Sequence, residues 1–267
     1  MRMAPLMFIL LLCVVFAGGV SRSEIKGSDV QYSSGGTTLK GYLAYDTAVR
    51  GRRPGVLVVH EWWGLNDYPR KRARQLAELG YTALAVDMYG EGKQASHPDD
   101  AGKFAGEIMK NMPLAKARFL AALDMLRKEK TVDTARIGAI GYCFGGGTVL
   151  NLARMGVDLK GVVSFHGSLA AASPAKKGGV KAKMLVCHGE ADAFSTRADI
   201  DAFTSEMKEA GVDLTFKSYP DAKHSFTNPD ADGYAKKFNI PLGYNAKADS
   251  NSWKDMKAFF RKVFARK

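Results

Sequence analysis

A cysteine sits between glycines in Gly141-Tyr142-Cys143-Phe144-Gly145-Gly146-Gly147. The apolar run Arg136-Ile137-Gly138-Ala139-Ile140-Gly141 precedes it and reads as a buried strand. A helix follows from about Gly145 to Met155. A nucleophile on a sharp strand-to-helix turn needs this pattern. Residues two before and two after it must lack side chains that would collide across the turn, which holds the sulfur clear of the sheet. N–H groups at the start of the helix approach the sulfur and favour thiolate over thiol. A plain glycine-rich turn with a buried cysteine would share the composition, but strand, spacing and helix agree here.

Such a nucleophile needs a base and an acid that orients it. Enzymes built on this turn carry them in the order nucleophile, acid, histidine. Asp192 follows in His188-Gly189-Glu190-Ala191-Asp192, after a buried strand, and His224 in Asp221-Ala222-Lys223-His224-Ser225-Phe226, after the next. Glu190 and Asp221 are rival acids; loop position favours Asp192, with Asp221 in reserve. Among the rival histidines, His60, His166 and His188 sit at strand ends where they satisfy backbone carbonyls, and His97 falls in a loop. The segment His60-Glu61-Trp62-Trp63-Gly64-Leu65 closes the first buried strand. A loop in this place supplies one oxyanion-hole N–H and the residue after the nucleophile the other, which casts Trp62 and Phe144 as donors. Glu61 at the end of so apolar a strand needs a partner unless it is a solvated loop carboxylate.

The elements that must position these groups alternate. Val30-Gln31-Tyr32, Gly35-Gly36 and Leu39 to Tyr45 form a hairpin with a glycine-bearing turn. Gly55 to His60 and Tyr81 to Val86 are strands buried on both faces. Asp67 to Leu79 is a helix with Leu76 and Leu79 at helical spacing, and Pro113 to Lys130 a helix with Leu114, Ala117, Ala121 and Met125 on one stripe. Gly161 to Phe165, Met184 to Cys187 and Leu214 to Tyr219 are strands, and Arg197 to Ala210 a helix. A last amphipathic helix carries Trp253, Met256, Phe259, Phe260, Val263 and Phe264. Alternation of this kind builds an α/β fold: a mostly parallel central sheet with helices on both faces.

The chain has 267 residues, 46% hydrophobic and 25% charged, near globular averages, which excludes disorder, collagen and a polytopic membrane protein. Residues 1–21 read as a signal peptide: Arg2, then an uncharged apolar run from Leu6 to Phe16, then small residues with cleavage near positions 17–21. The run is short for a bilayer span of about 20 residues. The expectation is an exported protein, periplasmic or secreted, with no stable membrane insertion after cleavage and one domain over residues 22–267. Cleavage would discard Cys13, leaving Cys143 and Cys187, which could pair in an oxidising compartment. The net charge of +12 raises a nucleic-acid or anionic-surface partner. Its best feature, Arg70-Lys71-Arg72-Ala73-Arg74, reads as the solvated face of a helix, so no nucleic-acid partner is expected.

Taken together, His60-Glu61-Trp62-Trp63-Gly64-Leu65, Val86-Asp87-Met88-Tyr89-Gly90-Glu91, Gly141-Tyr142-Cys143-Phe144-Gly145-Gly146, His188-Gly189-Glu190-Ala191-Asp192 and Lys223-His224-Ser225-Phe226 resemble the dienelactone hydrolase family of α/β-hydrolases. The resemblance spans about residues 30 to 265. It implies the α/β-hydrolase fold and a Cys143, His224, Asp192 triad. It also implies that Glu61 holds the resting cysteine and swings away when substrate binds. One departure matters: Asn228 stands where the family has an arginine that clasps a substrate carboxylate, and the stretch from Tyr89 to Gly106 offers no arginine either. The segment Asp230 to Asp249, with Tyr234, Phe238 and Tyr244, is expected to cover the pocket.

The expected activity is hydrolysis of a small ester or lactone through an acyl-enzyme on Cys143. The expected protein is a monomer, with no cofactor and no metal. No metal-ligand spacing and no phosphate-binding glycine pattern occurs in the sequence.

Overall fold

A computed structural model describes residues 24–266; the leader assigned to residues 1–21, with Cys13, lies outside them. The chain opens with a hairpin, β1 (Ile25–Ser34) and β2 (Thr37–Asp46). It continues β3 (Arg53–Val59), α1 (Asp67–Glu78), β4 (Thr82–Val86), α2 (Pro98–Met109), α3 (Met112–Lys128), β5 (Val132–Tyr142) and α4 (Phe144–Arg154). Then come β6 (Gly161–Phe165), β7 (Lys183–Gly189), α5 (Arg197–Glu209), β8 (Leu214–Tyr219), α6 (Ala231–Phe238) and α7 (Ala246–Val263). The sheet runs β1-β2-β4-β3-β5-β6-β7-β8, antiparallel at β1–β2 and β2–β4 and parallel in every later pairing. The expected mostly parallel sheet is what the chain builds.

Two cores flank it, and β3 shows why its sequence is apolar without alternation. Leu57 and Val59 face one core with α3, α4 and α5; Val56 and Val58 face the other with α1 and α7. A strand covered on both faces has no solvent side on which a polar residue would be free.

Several readings need correction. On α3 the buried stripe is Met112, Ala115, Phe119, Ala122, Leu123 and Leu126. The predicted stripe of Leu114, Ala117, Ala121 and Met125 lies on its flanks, because Phe119 and Leu123 carry more apolar area than the alanines that fitted the spacing. On α1 Leu79 is among the exposed large apolar side chains, while Arg72, read as solvated, is 4% exposed. The loop assigned to His97 holds α2: His97 caps its N-terminus and Pro98 opens it, with Asp99 and Asp100 in the first turn. Within the segment after His224, α6 stacks Tyr234 and Phe238 on Trp63, with ring centroids 4.4 and 5.9 Å away. Cys143 and Cys187 are both free, and Cys187 is a fully buried packing residue.

At the turn between β5 and α4 the backbone approaches itself closely. A Cβ on Gly141 would stand 2.1 Å from the Gly145 carbonyl oxygen, and one on Gly145 2.3 Å from that of Val59. Neither neighbour is a movable side chain. Gly141→Ala is therefore expected to lower the unfolding free energy by about 3 kcal/mol, as overpacking does at its upper end. Gly102→Ala, on an exposed helical position with nothing within 4 Å, should be neutral or slightly stabilising. Urea unfolding of both variants checks this, and equal midpoints would remove the steric account of the turn.

Candidate active site

The C-terminal ends of five parallel strands converge on one cavity of about 410 Å³. Ligand sites in open α/β sheets form outside these strand ends. At the end of β5, Cys143 adopts φ +53° and ψ −116° and caps α4. Positive φ is costly for a residue with a Cβ. Here it aims the sulfur into the cavity, which Cys143 lines with Trp62, Met109, Phe194, His224 and Leu242 among others.

His224 comes from the loop after β8 and Asp192 from the loop after β7. Their side chains meet through Nδ1 and Oδ2 at 2.8 Å, both nearly buried. The other oxygen of Asp192 accepts the Phe194 N–H at 2.9 Å, so both its oxygens are fixed. His224 and Cys143 line the same cavity. Burial works against a charged His224, but negative charge at Cys143 and Asp192 outweighs it and the pKa is pushed up to about 10. Glu190 and Asp221, the rival acids, are exposed.

The other histidines are engaged elsewhere. His60 pairs through Nδ1 with the Glu61 carbonyl and accepts the Met88 N–H on Nε2, and burial takes its pKa down to about 4. His97 is the helix cap described above. His188 is buried at the end of β7, and desolvation lowers its pKa. His166 does not satisfy a carbonyl with its ring: its Nδ1 accepts the Cys143 N–H at 3.1 Å.

The backbone N–H groups of Trp62 and Phe144 have no acceptor among the described residues, and both residues line the cavity. The Trp62 carbonyl is held by the Tyr89 hydroxyl at 3.0 Å, which fixes the plane of the peptide that follows. Donors left open at a cavity beside a thiol have the arrangement that a developing oxyanion would require.

Glu61 is 2% exposed, and its partners are not the expected one. One oxygen accepts the Ser225 hydroxyl at 3.0 Å and the other the Asn228 amide at 2.5 Å. Among the described residues no hydrogen bond joins it to Cys143. Burial raises its pKa, with the two hydrogen bonds, His224 and Arg72 pulling the other way. Asn228 is itself buried and spent on Glu61 and the Asp230 N–H, so it does not line the cavity. No lysine or arginine lines the cavity among the described residues. From the segment after the histidine only Leu242 does; Tyr234 and Phe238 are used on Trp63, the Tyr244 hydroxyl reaches Asp249 at 3.5 Å, and Gly243 N–H ties the segment to the His224 carbonyl at 3.1 Å.

Sequence reasoning missed Tyr68, Arg72, His166 and Thr227, which form a polar chain behind the cysteine. One signal was available. Tyr68, Arg72 and Leu76 recur every four residues, which puts Arg72 on the buried face of α1.

Three comparisons bear on the arrangement. The model of the "Dienelactone hydrolase family" matches residues 39–264. "Protein usf" of Aquifex pyrophilus is 31% identical over 208 residues, 76% of this chain and 87% of that one. Among solved structures, "m3DLH" superposes with a TM-score of 0.85 at 38% identity, covering 90% of this chain and 99% of its own. A dienelactone hydrolase-like promiscuous phosphotriesterase, P91, from metagenomic libraries superposes with the same TM-score and coverage at 36% identity.

The raised pKa of His224 has a stability consequence with a definite sign. Below the ordinary value of 6.5 both folded and unfolded chains carry the proton, and the contribution is present in full. It is lost as pH rises through about 10. The difference in unfolding free energy between wild type and His224→Gln should shrink steadily from pH 6.5 to 10 in urea titrations. A difference that stays flat or grows contradicts the ion-paired histidine.

Proposed function

Because the chain belongs to the dienelactone hydrolase family, a family of ester and lactone hydrolases, we propose that it cleaves small uncharged esters or lactones through Cys143, His224 and Asp192. The observation that carries this reading is the convergence of three things on one apolar cavity. They are a cysteine on a strained turn, a histidine paired at 2.8 Å with a buried carboxylate, and two N–H groups without acceptors among the described residues.

The steps follow from the positions. The Cys143 sulfur attacks the carbonyl carbon, and the oxygen takes up the electron pair against the Trp62 and Phe144 N–H groups. His224, held by Asp192, gives its proton to the leaving alkoxide as the carbon–oxygen bond breaks, and a thioester remains. The now neutral His224 takes a proton from water as the water oxygen attacks the thioester. Collapse releases the carboxylic acid and returns the sulfur to its ion pair with the imidazolium. Glu61, engaged by Ser225 and Asn228, stands off the cysteine, so the nucleophile is already in its working arrangement. Export remains part of this proposal and rests on the leader pattern of residues 1–21.

The substrate class follows from the lining. A substrate carboxylate in this cavity would lose its hydration without gaining a guanidinium or ammonium partner. Neutral acyl groups pay no such penalty, and a neutral phosphotriester, the class named for the P91 neighbour, shares the property.

The test is hydrolysis of short p-nitrophenyl esters by wild type, Cys143→Ala and His224→Ala, with iodoacetamide inactivation of the wild type. Each substitution should lower kcat/KM by at least about 1,000-fold, and equal rates in all three would overturn the proposal. In a panel that includes lactones, a carboxylate-bearing dienelactone should be a poorer substrate than its neutral methyl ester. The expected gap is about 100-fold, the size of one lost charged hydrogen bond. A preference for the acid would show that the cavity recruits a cation.

A further inference from the structure

Behind the cysteine lies a chain of buried polar groups that the proposed reaction leaves idle. His166 directly follows β6, is fully buried and adopts φ +40°, a conformation that histidine holds only when its surroundings impose it. The bend carries its ring beneath the turn at Cys143. There Nδ1 accepts the Cys143 N–H at 3.1 Å, alongside the Phe165 carbonyl at 3.0 Å.

An accepting Nδ1 leaves the ring proton on Nε2, which donates to Thr227 Oγ1 at 2.7 Å. The Thr227 and Tyr68 hydroxyls share a hydrogen bond of 2.6 Å. Arg72 then closes the chain from α1. Its Nε donates to the Tyr68 hydroxyl at 3.3 Å, and its Nη2 donates to the Thr227 carbonyl at 2.6 Å and to Asp249 of α7 at 2.6 Å.

The ends of the chain give it a purpose. One end is the backbone of Cys143, delivered by β5. The other is Thr227, three residues after His224 on the loop delivered by β8. The sulfur and the imidazole reach the cavity on separate elements, and His166 joins the two through one ring. We propose that His166 is a positioning residue that sets the distance between Cys143 and His224 by tying the nucleophile turn to the histidine loop through Thr227. This rests on the triad reading given above.

Two further facts agree with that role. The His166 and His224 ring centroids are 5.4 Å apart, so a charged His166 would oppose the imidazolium. Desolvation first, then His224 and Arg72, hold the His166 pKa well below the usual range and keep the ring neutral. Arg72 anchors the chain in place with a buried charge that is itself paired with Asp249.

The test compares His166→Asn, His166→Gly, Thr227→Val and Thr227→Ser in the full chain. Asn tolerates positive φ and keeps an acceptor near Nδ1; Gly tolerates it and removes the acceptor. Valine matches threonine in shape and lacks the hydroxyl. On a p-nitrophenyl ester, His166→Gly and Thr227→Val should lose about 100-fold in kcat with KM within about threefold, the pattern of a misplaced reacting group. His166→Asn should recover most of the loss, and Thr227→Ser should match wild type. Should His166→Gly fail to fold, the valine–serine pair carries the test alone. Values of kcat within about twofold of wild type in Thr227→Val, or equal losses in Val and Ser, overturn the proposal. Iodoacetamide alkylation of Cys143 across pH reads the coupling without hydrolysis. If Cys143→Ala leaves hydrolysis intact, the triad reading fails, and the alkylation arm still decides. A changed alkylation profile in Thr227→Val but not Thr227→Ser supports the tie, and identical profiles in wild type and Thr227→Val overturn it.

Discussion

The arrangement of this molecule depends on a non-glycine residue held at positive φ between a strand and a helix. Cys143 at φ +53° is in a conformation that costs about 1–3 kcal/mol. It persists because everything around it is fixed. Gly141 and Gly145 let β5 and α4 close to backbone contact, and Gly145 packs against the Val59 and His60 carbonyl oxygens of the neighbouring strand end. The Cys143 N–H has two acceptors from the end of β6. A relaxed turn would leave the sulfur against the sheet and close the angle at which α4 presents its first N–H groups. His166 and Ser225, at φ +40° and +60°, carry strain of the same kind beside it. Cys143 aims at the cavity, His166 at the Cys143 N–H and Ser225 at Glu61.

Charge is distributed to match. Arg72, Asp249, Glu61, Asp192 and His224 are largely buried, and each has a partner: Arg72 with Asp249, Asp192 with His224, Glu61 with two neutral donors. Of these only His224 lines the cavity. Most of the remaining lining is apolar, from Trp62, Ala105, Met109, Phe144, Phe194 and Leu242. A low-dielectric lining strengthens the Asp192–His224 pairing and raises the cost of an unpaired substrate charge for the same reason. On the reading proposed here, the apolar character that supports the base also selects the substrate.

The sequence made the delivery points legible because they are local. The glycine spacing around Cys143 and the placement of Asp192 and His224 after buried strands needed no tertiary information. Strands such as Gly161–Phe165 and Leu214–Tyr219 were readable to the residue. What escaped was set by distant contacts. Alanines at good spacing on α3 mimicked a buried face that Phe119 and Leu123 occupy. The glycines of α2 concealed a helix that a histidine cap and a first-turn proline start. Arg72 looked solvated because its neighbours Arg70, Lys71 and Arg74 are charged. Its partners Thr227 and Asp249 lie 155 and 177 residues away, where no window of sequence reaches.

Asn228 shows how a departure from the family spreads beyond one position. Read alone, it is a missing arginine and therefore a missing clamp. In place, its amide donates to Glu61 and its carbonyl accepts the Asp230 N–H, at 1% exposure. An arginine there would meet Glu61 first, a buried carboxyl whose hydrogen bonds end on Ser225 and Asn228, and would be bound before any substrate arrived. The carboxylate, the serine at positive φ and the asparagine form one packed unit whose polar groups satisfy one another. Because that unit is closed, the cavity in front of it needs no counter-charge, and Leu242 and Met109 can occupy its wall. The neutrality of the cavity is thus a property of the buried layer behind it, and a single substitution at its edge would not reverse it.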